Sequence, residues 1–150
     1  MTETSTESRA RAGAPARAAV AASVVLAAAA LVDQLAGHWT ARDSEAHYAS
    51  LGTVPDPRVL TTLMAVSALV FAACMYPAVR QARRGRHGLA ALTSGACALT
   101  WGAVAAVASL AYEYGGYVLS PAWRLGPWLL PLAALVAAVR SVRALRALGA

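Results

Sequence analysis

Three stretches of this chain, Val59 to Val79, Gly88 to Tyr112 and Leu125 to Val139, contain no charged residue, and a fourth, Ala18 to Val32, runs uncharged until it meets Asp33. A helix rises ~1.5 Å per residue, so about 20 apolar residues cross the ~30 Å hydrocarbon layer of a bilayer. The middle two stretches reach that length outright, and the outer two reach it once a few flanking residues are added. The expectation is an all-α integral membrane four-helix bundle with spans at about 17–37, 57–79, 88–113 and 123–143. Composition agrees: 59% of the residues are hydrophobic and 13% charged, against roughly 25% charged in a soluble domain. Four spans and their loops use nearly the whole sequence, which leaves no room for a separate soluble catalytic domain.

Charge placement orients the spans. Ten of the thirteen arginines fall in three groups: Arg9, Arg11 and Arg17 before span one; Arg80, Arg83, Arg84 and Arg86 between spans two and three; Arg140, Arg143 and Arg146 at the end of span four. Arg42, Arg58 and Arg124 lie on the other side, together with Asp33, Asp43, Glu45, Asp56 and Glu113. Basic loops stay cytoplasmic, so the expected topology is up-down-up-down with both termini inside and residues 38–56 forming an outer loop. The implied location is the cell membrane. The basic clusters then meet anionic lipid headgroups, which accounts for the net charge of +6 without nucleic acid, since no aromatic residues interleave the arginines as in a nucleic-acid-binding surface.

Residues 1–16 are polar, small and Pro-containing, and are expected to be disordered. Span one also has signal-peptide features, an Arg-containing leader and an apolar core with A-x-A sites; cleavage there would leave three spans in the same orientation. In the outer loop, Thr40 to Asp43 has capping-box form, suggesting a short interfacial helix over Ser44 to Leu51. Asp56-Pro57 is a helix start, with Asp as N-cap and Pro at the first helical position. Trp39, Tyr48, Tyr114, Tyr117, Trp123 and Trp128 form an outer aromatic belt. Pro127 is expected in the first turn of span four, and Pro131 is expected to kink that helix.

Span three carries Ala91, Gly95, Ala98, Gly102, Ala105 and Ser109 at alternating spacings of four and three. Such a stripe lets helix backbones approach closely in lipid, so Gly95, Gly102 and Ser109 are candidate packing residues. Asp33 has two readings: a helix-end carboxylate reaching interfacial water, or an acid facing the bundle interior. Glu113 ends span three at the same expected depth. If the small-residue faces of spans one and three meet, the two acids share a site able to hold a proton or a cation, with Arg58 or Arg124 as counter-charge. His38 and His47, with Asp43 or Glu45, do not have a recognised metal-ligand spacing, and no cofactor motif is present. Cys74 and Cys97 are expected at similar depth as two small buried hydrophobic residues.

The segment Tyr48-Ala-Ser-Leu-Gly52-Thr-Val-Pro55-Asp-Pro57, followed by a short basic turn and two further spans, resembles the small four-helix bacterial membrane proteins of the DoxX-like group and similar actinobacterial proteins. The resemblance implies a four-span fold and, for some members, association with redox or sulfur-metabolism enzymes. Members often carry a Glu within the second span, where this chain has no acid. In length the chain is also similar to small multidrug transporters, which place a Glu in the first span where this chain has Asp33. The function expected from these features is a non-catalytic structural or accessory membrane protein that partners the bilayer, another membrane protein or itself. The alternative is a small proton- or cation-coupled transporter built on Asp33 and Glu113.

Overall fold

A computed structural model describes residues 13–35, 57–114 and 121–149. The side chains at 57–58, 60, 111–114, 121–123 and 148–149 lie outside that description, as do the expected interfacial helix and the histidines and acids around it. Four helices are described: α1 (Ala14–Leu35), α2 (Pro57–Arg83), α3 (His87–Tyr114) and α4 (Pro121–Gly149). Each is long and apolar enough to cross a membrane.

The helix ends follow local chemistry. α1 starts at Ala14, inside the segment expected to be disordered. Pro15 occupies its first turn, where the missing N–H costs nothing, and the Arg17 N–H bonds the Gly13 carbonyl at 3.1 Å. α2 runs on through its arginines to Arg83, so the connection to α3 is only residues 84–86, tighter than the eight-residue loop the charge run suggests. It is a Schellman cap: Arg86 N–H bonds Gln81 O at 2.9 Å and Gly85 N–H bonds Ala82 O at 3.1 Å, with Gly85 at φ 73°. Only glycine takes that left-handed backbone without penalty. α4 begins at Pro121, a first-turn proline, which places Pro127 inside the helix rather than in its first turn; α4 is continuous past both Pro127 and Pro131.

The helices pack as the corners of a square. α1 lies against α2 and α4, α3 lies against α4 and α2, and α1 and α3 are diagonal with little contact. α3 is antiparallel to both neighbours. Gln81 and Ser67 of α2 bond Thr93 and Trp101 of α3. Along α4, a Cβ placed on Gly88 or Gly102 of α3 would lie 4.0 Å from Leu145 or 3.9 Å from Pro131, and Ser109 bonds Trp128.

Burial is inverted relative to a protein dissolved in water. Apart from Phe71, Met75, Trp101, Leu130 and Val79, the buried apolar residues are Ala and Cys97, and they are accompanied by Ser23, Ser94 and Ser141. The large aliphatic side chains point outward along every helix: Val25 is 67% exposed, Leu92 72% and Leu99 79%. A soluble monomer rarely exposes contiguous apolar patches beyond a few hundred Å². In lipid, small residues inside and Leu and Val outside are the arrangement that lets helices approach.

Candidate functional site

The interior of α3 is a line of His87, Ala90, Ser94, Cys97, Trp101 and Ala105. It is displaced by one residue or more from most of the small-residue stripe read in the sequence. Of that stripe, Ala105 is buried, whereas Gly95, Gly102 and Ser109 are half-buried on the flank. Gly102 faces Pro131 of α4, and Ser109 accepts a 3.1 Å hydrogen bond from the Trp128 indole N–H of α4. At Gly95 an added Cβ meets nothing within 4 Å. In a helix this rich in Ala, small residues fall on every face, and among the described side chains the interior is marked instead by a large ring that needs a partner.

That ring is Trp101. Its indole N–H donates to Ser67 Oγ of α2 at 3.1 Å, and Phe71, one turn further along α2, meets it edge-on with centroids 5.3 Å apart and planes at 76°. The indole thus bridges α2 and α3 midway along their length. On one side of it, toward the Gly85 turn, the two helices are tied by Thr93 Oγ1 donating to Gln81 Oε1 at 3.0 Å. On the other side, where α2 and α4 begin and α3 finishes, α3 offers Ala103, Ala105 and Ala108, and a cavity of about 560 Å³ opens. Leu63 and Met64 of α2, Val104 and Ala108 of α3, Leu26 of α1 and Leu130 of α4 contribute to its walls. The volume falls within the ~300–1,000 Å³ of small-molecule sites. Ser67 and Trp101, which carry side-chain polar groups into the lining, bond each other.

Asp33 continues the interior line of α1, after Ser23, Ala27 and Ala30, and is 9% exposed. The residue takes part in an interaction within the chain. Thr61 of α2, also buried, does the same. Glu113 lies in the last turn of α3 and Arg58 in the first turn of α2, with their side chains outside the description. α1 and α3 are diagonal with little contact. Arg124 is exposed and also engages another group in the chain. Cys97 is buried, but Cys74 is exposed rather than buried as expected; both are free thiols.

Among the described residues, two buried polar atoms, His87 Nδ1 and Ser94 Oγ, have no hydrogen-bond partner. They lie seven residues apart on the interior line of α3. The sequence reading passed over both; the available signal was their two-turn spacing along the line that leads to Trp101. No known protein family, curated protein or solved structure matches the chain.

Proposed function

We propose that this chain is a multi-pass protein of the cell membrane with a non-catalytic accessory role, its helices running up-down-up-down and both termini cytoplasmic. The inverted burial carries the membrane reading: the Leu and Val surface of all four helices is a surface for lipid. The orientation is supported by the ten arginines grouped before α1, around the α2–α3 turn and along the end of α4. Those clusters would engage anionic headgroups, and the helix surfaces would engage another membrane protein or a second copy. The test is a cysteine-accessibility scan in a background lacking Cys74 and Cys97. Glu45→Cys and Val118→Cys are expected to react from outside, and Arg84→Cys only after permeabilisation. Outside labelling at position 84 would overturn the orientation.

A second reading, proton- or cation-coupled transport, is favoured by one observation, the burial of Asp33 on the interior line of α1. Ionisable side chains within membrane spans are rare and tend to mark ion or proton paths. The discriminating measurement is flux in reconstituted vesicles, wild type against Asp33→Asn, over a range of pH and a panel of cations. The accessory role expects no flux from either; flux in the wild type that Asp33→Asn abolishes would establish the transporter.

A further inference from the structure

We propose that Cys74 of α2 and Cys97 of α3 are a redox pair that closes to a disulfide between the two helices, with a quinone dissolved in the bilayer as the oxidant. The choice of oxidant rests on the membrane reading above.

Two hydrogen bonds between α2 and α3 fix the pairing: Ser67 bonds Trp101, and Gln81 bonds Thr93. Cys74 lies seven residues from Ser67 and seven from Gln81, and Cys97 lies four from Thr93 and four from Trp101. Each cysteine is therefore the midpoint of its helix between the same two ties. Seven and four residues are both close to whole turns, so the cysteines also keep the faces that make those bonds. Antiparallel helices tied at two levels carry the midpoints of those faces opposite each other. α2 is longer than α3 between the ties by about 9 Å at ~1.5 Å per residue; the reach of Gln81 at one end and Trp101 at the other shares that excess, so the midpoints stay opposed. Phe71, one turn before Cys74, meets the Trp101 ring edge-on from the same face of α2. The Cys74 thiol is also near enough to act electrostatically on Cys97.

The surroundings select the chemistry. Both thiols are free, with Cys97 buried and Cys74 exposed. Cys74 lies six residues before Arg80, ~9 Å along the apolar portion Thr61–Arg83. In the membrane its thiol faces hydrocarbon, and the oxidant has to arrive from there. Charged oxidants and hydrophilic disulfides are kept out by the cost of leaving water, whereas a quinone is a neutral two-electron oxidant that dissolves in hydrocarbon. The step balances without leaving a charge behind. The two S–H bonds break and one S–S bond forms. Both sulfurs are oxidised, and the two electrons and two protons reduce the quinone to its quinol. The cytoplasmic side is reducing, and disulfides that form against it are transient, so the dithiol is the resting state. Closure adds a covalent tie between the Gln81–Thr93 bond and the Trp101 bridge.

The experiment uses the full chain, reduced and reconstituted in phosphatidylcholine vesicles, with a short-chain, fully substituted benzoquinone as oxidant; full substitution leaves no ring hydrogen for a thiol to displace. Thiols are counted with a maleimide after denaturation. The expected result is loss of both thiols, a chain lighter by two hydrogens, a peptide crosslink joining Cys74 to Cys97 and one quinol formed per chain. Dithiothreitol should restore both thiols. Cys74→Ala and Cys97→Ala should each keep the remaining thiol and form no quinol. Tyr76→Cys in the Cys74→Ala chain moves the thiol two residues along, to a 62% exposed site on the far face of α2, and should stay open. The wild-type measurement needs no substitution, so a variant that fails to fold leaves the test standing. Retention of both thiols, closure at Tyr76→Cys as fast as at Cys74, or a disulfide-linked dimer in place of the internal bond overturns the pair. Closure by glutathione disulfide but not by the quinone overturns the assignment of the oxidant. Carbonate extraction tells the two readings apart: release of the chain from the vesicles would defeat the membrane reading, whereas retention with two free thiols would defeat the redox pair alone.

Discussion

The α2–α3 interface is two interfaces joined at Trp101. On the side of the Gly85 turn it is short-range and polar: a left-handed glycine cap, a Gln81–Thr93 bond and a buried imidazole at His87. On the other side the same two helices leave a cavity of about 560 Å³ walled by aliphatic side chains. The chain connectivity explains part of the difference. A three-residue turn forces the helices together at one end. The contrast shows that small residues in a membrane helix have two uses. Opposite Pro131, Gly102 brings α3 close to α4; opposite Leu63 and Met64, alanines leave room.

The largest expected effect comes from the residue that divides the halves. Trp101→Ala removes a buried ring, its edge-on contact with Phe71 and its bond to Ser67. The loss should be about 3–5 kcal/mol, the range for large aromatic truncations in cores, read as a lowered unfolding midpoint in mixed micelles. Trp101→Phe should recover most of it, since Phe keeps the ring contact and forgoes only the hydrogen bond. If Trp101→Ala were as stable as wild type, the two-part description of the interface would fail.

Next comes the close approach of α3 to α4. At Gly102 a Cβ would sit 3.9 Å from Pro131 Cβ, so Ala fits and a longer side chain collides. Gly102→Leu should destabilise by about 1–3 kcal/mol through overpacking, whereas Gly102→Ala should be neutral or slightly stabilising. Leu99→Ala, at a 79% exposed site, should change little. Comparable losses from Gly102→Leu and Leu99→Ala would mean that Gly102 does not mark a helix–helix contact.

The turn itself gives a smaller effect. Gly85 has φ 73° with open space around it, so Gly85→Ala pays only backbone strain, about 1 kcal/mol. Gly95→Ala, in open space within regular helix, should gain roughly 0.5–1 kcal/mol by helix propensity. Opposite signs at two equally uncrowded glycines would isolate the backbone contribution; the same sign would show that the cap is not under strain.

Much of this architecture was legible in the residues because lipid enforces simple rules. Uninterrupted apolar length marks a helix able to span, and Pro57 after Asp56 marks where α2 begins. What escaped depends on side-chain fit. The small-residue stripe ran one step off the interior line because Ala occupies every face of α3, and only the location of Trp101 and its partner Ser67 distinguishes inside from flank. The diagonal placement of α1 and α3 follows from which pairs pack best, a matter of side-chain fit that apolar length does not encode. Pro121 takes the first-turn position, where a missing N–H costs nothing, and the helix continues past Pro127. The cleft left no sequence signature at all: it is a space, defined by what four helices fail to fill.

The finest comparison is between two serines that face the interior from opposite sides of the same interface. Ser67 accepts the Trp101 indole proton; Ser94 Oγ is buried with no partner. Removing each hydroxyl should therefore act in opposite directions. Ser67→Ala leaves the indole N–H without its acceptor in a setting where water cannot replace it, and should destabilise by about 0.6–1.5 kcal/mol, the measured scale for interhelical hydrogen bonds in membranes. Ser94→Ala relieves a buried unsatisfied oxygen and improves helix propensity, so it should stabilise by roughly the same amount. Unfolding midpoints of the two variants and the double variant, in the same micelles, decide the matter. Destabilisation by Ser94→Ala would show that its hydroxyl has a partner after all, and would return the turn-side half of the interface to the same packing logic as the rest of the bundle.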